Sequence, residues 1–109
     1  MAQPTEEKIR QLQLEEQRLQ QLLLQKQALQ AQAMEITSAL AELKNAPEAY
    51  KIIGNIMIAA RKDELDRDLS SKKEATELRI SSLAKQEISV RERASRLQKE
   101  VVGEMKNDG

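Results

Sequence analysis

The residues best able to do chemistry are the acids just past the middle of the chain, interleaved with bases: Asp63, Glu64, Asp66 and Asp68, with Lys62 and Arg67 among them. Clustered carboxylates of this kind could bind a divalent cation. They also suit the positive end of a helix dipole, and the neighbouring bases compensate their charge. We therefore interpret the cluster as a solvated helix start and not as a metal site.

Other catalytic groups are missing from the chain. There is no histidine and no cysteine, so the usual general base at neutral pH and all thiolate chemistry are excluded. The glycines Gly54, Gly103 and Gly109 are too scattered for a phosphate-binding loop. We predict that the protein is not an enzyme, that it has no catalytic or metal-binding residue, and that it needs no cofactor.

The composition is typical of a long helix or coiled coil. Of the 109 residues, 33% are charged, 39% are hydrophobic, and Tyr50 is the single aromatic residue. Acids and bases balance at 18 each, and the bases near Arg91 and Arg96 alternate with acids. This pattern predicts a solvated helix face and no nucleic-acid partner. The lack of cysteine, of a signal-like N-terminus and of a long apolar run suggests a cytoplasmic protein without a membrane partner.

Two stretches have the three-and-four spacing of a coiled-coil seam. The first runs from about residue 5 to 45, with Thr5 as the predicted N-cap and Pro47 shortly after its end. Its seam has one skip, and its members are Ile9, Leu12, Glu16, Leu19, Leu22, Lys26, Leu29, Ala33, Ile36, Leu40 and Leu43.

The second stretch runs from about residue 63 to 106, with Asp63 as the predicted N-cap. Its seam has an irregular step near Thr76, and its members are Leu65, Leu69, Lys72, Thr76, Ile80, Leu83, Glu87, Val90, Ala94, Leu97 and Val101. Because the two stretches are nearly equal in length, we predict that they fold back on each other. The expected fold is mainly α: one domain over residues 1–109, built as an antiparallel coiled-coil hairpin.

The connection, residues 49–60, reads as a β-hairpin. Two apolar runs flank Gly54-Asn55, a pair that favours a type II′ or I′ turn. This register pairs Ile53 with Ile56 and Ile52 with Met57, and it leaves both faces mainly apolar. A lone hairpin is marginal in water, so we expect several copies to associate through it. The alternative is a helical connection.

Apolar residues also gather where the two helices end together, opposite the hairpin. They are Ile9, Leu12, Leu14, Val101, Val102 and Met105. If the coiled coil frays there, these residues stay partly exposed and form a binding site, because exposed apolar patches and adaptable methionines suit promiscuous contacts. The alternative is an ordinary seam end with a few surface aliphatic residues.

The run Tyr50–Ile58, followed by Lys62–Leu65, resembles the hairpin and helix start of β-type prefoldin subunits. The Gln-rich first helix, with Gln25–Gln27, and the pair Gln86-Glu87 are also similar to that family. The resemblance implies a hexamer of two α-type and four β-type subunits whose hairpins form a β-barrel platform. It further implies coiled-coil tips that hold unfolded proteins and deliver them to a group II chaperonin without ATP.

By position, the resemblance assigns assembly of the platform to the hairpin residues Tyr50, Ile52, Ile53, Gly54, Ile56, Met57 and Ile58. The six apolar residues at the helix ends would then contact the unfolded protein. A structural coiled coil that scaffolds partners, without affinity for unfolded chains, remains the alternative function. A membrane-surface helix is disfavoured because the charge is balanced and aromatic anchors are missing.

Overall fold

The computed structural model describes residues 3–108, with side chains from residue 5 to 106. Helix α1 spans Gln3–Asn45, strands β1 and β2 span Ala49–Ile53 and Ile56–Ala60, and helix α2 spans Lys62–Asp108. The prediction of two long helices joined by a β-hairpin is thus confirmed.

Both predicted N-caps are wrong. Thr5 already lies inside α1, which is helical from Gln3, and its hydroxyl donates to Glu104 of α2 instead of capping its own helix. Helix α2 begins at Lys62, so Asp63 lies in its first turn, where its charge still suits the helix dipole.

The chain divides into two compact units. The hairpin unit is Ala28–Ile80. The terminal unit comprises the described residues up to Gln27 together with those from Ser81 onward. Each unit contains parts of both helices and has its own buried residues.

The hairpin has the predicted register. Strands β1 and β2 are antiparallel, with Ile53 opposite Ile56 and Ile52 opposite Met57. Gly54 has a φ of +60°, and no other residue between 3 and 108 has a positive φ. Because a type I′ turn needs positive φ at both central residues, Gly54-Asn55 has the type II′ pattern.

A Gly54→Ala substitution is expected to lower the free energy of unfolding by about 1 kcal/mol, because an alanine at positive φ brings its Cβ against the backbone. Space is not the limit, since nothing lies within 4 Å of the position a Cβ would take. Urea unfolding of the variant measures the loss. Asn55→Ala, at negative φ, is the matched control, and an equal loss there would contradict the turn assignment.

Within the hairpin unit, Lys62 ties the end of α1 to the start of α2. Its ammonium donates a 2.6 Å hydrogen bond to the carbonyl of Ala46, and the amide of Ala46 donates a hydrogen bond to the carbonyl of Leu43. A cation at this position satisfies carbonyls that a helix C-terminus leaves unpaired. Ile36 and Thr76 are buried in this unit. The half-buried residues around them include leucines of both helices and one isoleucine of α2.

In the terminal unit α1 and α2 run antiparallel. The buried apolar residues are Leu83, Val90 and Val101, all on α2. The half-buried apolar residues of this unit include Ile9, Leu12, Leu19, Leu22, Ala94 and Leu97. These residues recur at three-and-four spacing, so this part of the coiled-coil prediction is confirmed.

The phase of both seams differs from the prediction. In α1 the seam residue is Glu15, which is buried, whereas Glu16 is exposed. From Leu12 onward the steps through Glu15, Leu19 and Leu22 alternate between three and four, so the skip predicted at Leu19 to Leu22 is wrong. Two successive steps of three lie instead at Ile9, Leu12 and Glu15. In α2, Lys72 is exposed and Lys73 is half-buried, which moves the irregular step from Thr76 toward Leu69.

Candidate functional site

The large apolar side chains of the hairpin are all exposed to solvent. Ile52 is 70% exposed, Ile56 65% and Met57 66%. Every hairpin residue predicted to act in assembly is exposed: Tyr50, Ile52, Ile53, Gly54, Ile56, Met57 and Ile58. Soluble proteins rarely leave a contiguous apolar patch of this kind uncovered unless it binds something.

The same hairpin also has unpaired backbone. Each strand hydrogen-bonds one neighbour, so β1 and β2 both retain a free edge within the described part of the chain. A two-stranded sheet is marginally stable alone, and its edges are templates for another strand. The arrangement therefore suits strand pairing with further hairpins.

Tyr50 differs from its aliphatic neighbours. Its hydroxyl donates a hydrogen bond to the carboxylate of Glu48, and this bond raises the pKa of the phenol above 10.0. The ring itself is half exposed, so its apolar face is available beside Ile52. The tyrosine thus adds apolar area while its polar end is satisfied.

A polar network closes the end of the terminal unit. Glu104 of α2 accepts hydrogen bonds from the Thr5 hydroxyl and the Lys8 ammonium, and Lys8 also lies 3.5 Å from a carboxylate oxygen of Glu100. Thr5 is almost completely buried. The predicted fraying of the helices is therefore not seen here, because side chains 99 residues apart in sequence join them.

The six apolar residues predicted at this end fall into three groups. Val101 is only 7% exposed, so the expectation that it stays accessible is wrong. Ile9 and Leu12 are half-buried on the seam, and about half of each of the remaining three side chains is exposed: Leu14, Val102 and Met105.

These exposed residues do not form one patch. Val102 and Met105 are three residues apart and share a face of α2. Leu14 adjoins Glu15, which lies at the level of Arg93 on α2. Nine residues separate Arg93 from Val102, or about 13 Å along the helix. Val102 and Met105 therefore share a patch near the helix ends, whereas the prediction that Leu14 joins them there is wrong.

Two further polar layers lie along the seam of the terminal unit. Glu15 is held by Arg18 at 3.1 Å and faces Arg93 at 3.7 Å, but its second oxygen accepts no hydrogen bond from the described residues. Lys26 donates a 2.5 Å bond to Glu87, which also accepts two bonds from Arg91. The three-and-four spacing of the sequence correctly predicted that Lys26 and Glu87 lie on the seam, but it missed Glu15.

These contacts shift three pKa values. Hydrogen bonds from Lys26 and then Arg91 hold the pKa of Glu87 below its ordinary 4.5. Lys8 and Thr5 do the same for Glu104. In return, the Glu104 carboxylate raises the pKa of Lys8 above 10.5.

Acid is expected to weaken the terminal unit. A carboxylate whose folded pKa is lowered contributes stability above its unfolded pKa and loses it as pH falls through the folded value. Stability should therefore decline below pH 4.5 as Glu87 and Glu104 are protonated. The raised pKa of Lys8 predicts a second decline in stability, above pH 10.5, as pH rises through that pKa.

Circular dichroism melting from about pH 7 to about pH 3 measures the acid effect. A chain carrying Lys26→Met with Glu87→Met is the control, since it retains only the Glu104 contribution and should lose less stability in acid. Melting temperatures that rise on acidification would contradict the assignment.

The acidic cluster at the start of α2 pairs with neighbouring bases. Asp63 faces Arg61 at 3.7 Å and Arg67 at 3.9 Å, and no group of three or more potential metal ligands occurs among the residues searched, those that the structure describes. None of the helices in the described range has an apolar stretch able to span a bilayer.

Comparison with known proteins agrees with the fold. The sequence profile of the family described as "Prefoldin subunit" matches residues 6–107. The prefoldin subunit beta of Pyrobaculum neutrophilum is 35% identical over 78 residues, which are 69% of this chain and 62% of that protein. The prefoldin subunit beta of Archaeoglobus fulgidus is 36% identical over 66 residues, or 58% of this chain and 57% of that protein.

These matches thus span less than two thirds of the length of the curated relatives. The crystal structure of the prefoldin beta subunit from Thermococcus strain KS-1 superimposes with a TM-score of 0.84 at 28% identity. The match covers 92% of this chain and 90% of that one. The chain belongs to the prefoldin subunit family and resembles its beta subunits.

Proposed function

We propose that this chain is a subunit of a hexameric, ATP-independent chaperone. Its hairpin unit assembles with two α-type and three further β-type subunits into a β-barrel platform. Its terminal unit binds unfolded proteins, prevents their aggregation and delivers them to a group II chaperonin. The expected location is the cytoplasm.

The observation that carries this proposal is the exposed apolar hairpin with its free edges. A hairpin with Ile52, Ile56 and Met57 all mostly solvent-exposed would be an aggregation hazard in an isolated chain. Closing several such hairpins into a barrel removes the edges and buries the side chains together. The membership of the chain in a family of multi-subunit chaperones supports this use of the surface.

The terminal unit supports the binding part of the proposal. Leu14, Val102 and Met105 are accessible, flexible or small apolar side chains on a largely polar surface. One such site binds an unfolded chain weakly. Several sites around one assembly raise the effective concentration of the bound segment, so affinity increases without a strong single contact.

The test is co-expression with an α-type prefoldin subunit, followed by measurement of the particle mass and of aggregation of a denatured protein. The expected result is a hexamer that suppresses aggregation without ATP. A homodimer that leaves aggregation unchanged would favour a scaffolding coiled coil and refute the chaperone function.

Replacing Leu14, Val102 and Met105 with serine is expected to weaken capture of the denatured protein several-fold while the hexamer still forms. The reason is loss of exposed apolar area from each terminal unit. Val101 is left unchanged because it is buried and its loss would destabilise the fold. Leu78→Ser is the control, because this leucine of the hairpin unit is 67% exposed, more than any of the three. Full suppression of aggregation by the triple variant would exclude these residues as the binding site.

A further inference from the structure

The methionines of this chain lie on its surface. Three of the four fall within residues 5–106, and each of these three, Met34, Met57 and Met105, is at least half exposed to solvent. Methionine side chains are usually buried in folded proteins. The chain has no cysteine, histidine or tryptophan, so its thioethers are the groups that a mild oxidant such as hydrogen peroxide attacks first.

Met57 differs from the other two because it lies in the hairpin. It is on β2, directly opposite Ile52 on β1. Side chains that are directly opposite share a face of an antiparallel pair, and successive side chains alternate between faces. Met57 therefore shares one face with Ile52, Tyr50 and Ala59, and this face carries no charged residue. Lys51 lies on the other face.

The position of Lys51 decides which face points inward in the proposed barrel. A barrel wall has one face toward the interior and one toward the outside, and a lysine is almost never fully buried without a partner. Lys51 is the middle residue of β1, directly opposite Ile58, so its face is the outward one. The charge-free face with Met57 then lines the interior, and its sulfur is accessible in the free chain but enclosed after assembly.

Peroxide converts the Met57 side chain from an apolar group into a polar one. The thioether sulfur attacks one peroxide oxygen, an S–O bond forms, and the O–O bond breaks. The other oxygen leaves as water with both peroxide protons, so the sulfur is oxidised by two electrons and the peroxide is reduced. The sulfoxide oxygen is a hydrogen-bond acceptor, and burying it beside Ile52 without a donor is unfavourable.

We propose that Met57 is an oxidation site that controls whether this chain enters the barrel. A free chain oxidised at Met57 stays out of the assembly, and an assembled chain is protected because the barrel wall shields the sulfur. A methionine sulfoxide reductase reverses the block: two thiols supply two electrons and two protons, the sulfoxide oxygen leaves as water, and a disulfide forms in the reductant. This inference rests on the proposed function, since it requires the hairpin to assemble.

The experiment treats the free chain with hydrogen peroxide, measures sulfoxide at each methionine by mass spectrometry, and then adds the α-type subunit. Analytical ultracentrifugation is expected to show that half-maximal assembly needs about tenfold more oxidised than untreated chain. Incubation with a methionine sulfoxide reductase and dithiothreitol should restore assembly. In a hexamer treated after assembly, Met57 should be oxidised several-fold more slowly than Met34, whereas the two should be oxidised at similar rates in the free chain.

Two variants assign the effect to one sulfur. Peroxide should not change the assembly of a Met57→Leu chain relative to the same variant untreated, whereas a Met34→Leu chain should remain sensitive. Normal assembly of a chain fully oxidised at Met57, equal sensitivity of the Met57→Leu chain, or equal oxidation of Met57 in the free chain and the hexamer would each overturn the proposal. An untreated chain that fails to assemble would instead refute the proposed function, and this inference with it.

Discussion

Placing glutamate at both Ile52 and Ile56 is expected to release this chain from any assembly as a folded monomer. The two residues lie on opposite faces of the hairpin, on different strands, and both are largely exposed in the isolated chain. The charges therefore cost little in the monomer. Because the two faces of a barrel wall point inward and outward, one of the two charges would lie in the barrel interior without a partner, at a cost of several kcal/mol.

Analytical ultracentrifugation after co-expression with the α-type subunit measures the effect. Circular dichroism should show unchanged helix content, because the Ile52 and Ile56 side chains are largely exposed in the isolated chain. Asn55→Glu adds one such charge at the turn, outside the strands, and should still assemble. If the double variant remained hexameric, assembly would have to use another surface, and the proposed platform would be wrong.

The hairpin was predictable because its determinants are local. Gly54 supplies the positive φ, a two-residue turn sets the register, and a run of apolar residues on both sides leaves no polar face. The exposure of these residues was also predictable, because two helices cannot cover both faces of a sheet at their junction.

The presence of a seam on each helix was predictable, but which residue of two adjacent ones faces the seam was not. Glu15 and Glu16 are the same residue type, so a rule based on apolar spacing cannot choose between them, and the run Leu22–Leu24 accommodates either phase. Val101 and Val102 pose the same problem: successive residues on a helix point about 100° apart, so one valine is buried and the other exposed.

The polar network at the helix ends had no local signal. Thr5 looks like a cap because threonine is common at that position, and its true partner, Glu104, is close only after the chain has folded back. Contacts between distant residues depend on the register of the two helices. The phase error at Glu15 therefore also concealed its neighbour Arg93.

A Glu15→Leu substitution is expected to raise the free energy of unfolding by about 2 kcal/mol. Glu15 is only 8% exposed, and one of its carboxylate oxygens accepts no hydrogen bond from the described residues. Arg93 lies 3.7 Å from that oxygen, too far for a hydrogen bond. Leucine would bury apolar area at a seam position whose neighbours Leu12 and Leu19 are already apolar.

Denaturant unfolding compares this variant with Glu16→Leu, which alters the adjacent residue in the same way. Because Glu16 is exposed, its replacement should change the free energy of unfolding by no more than about 0.5 kcal/mol. Equal gains at the two positions would mean that the seam phase is wrong. A loss at Glu15 would instead show that its bond to Arg18 and its attraction to Arg93 outweigh the cost of burying the carboxylate, so that the polar layer stabilises the terminal unit.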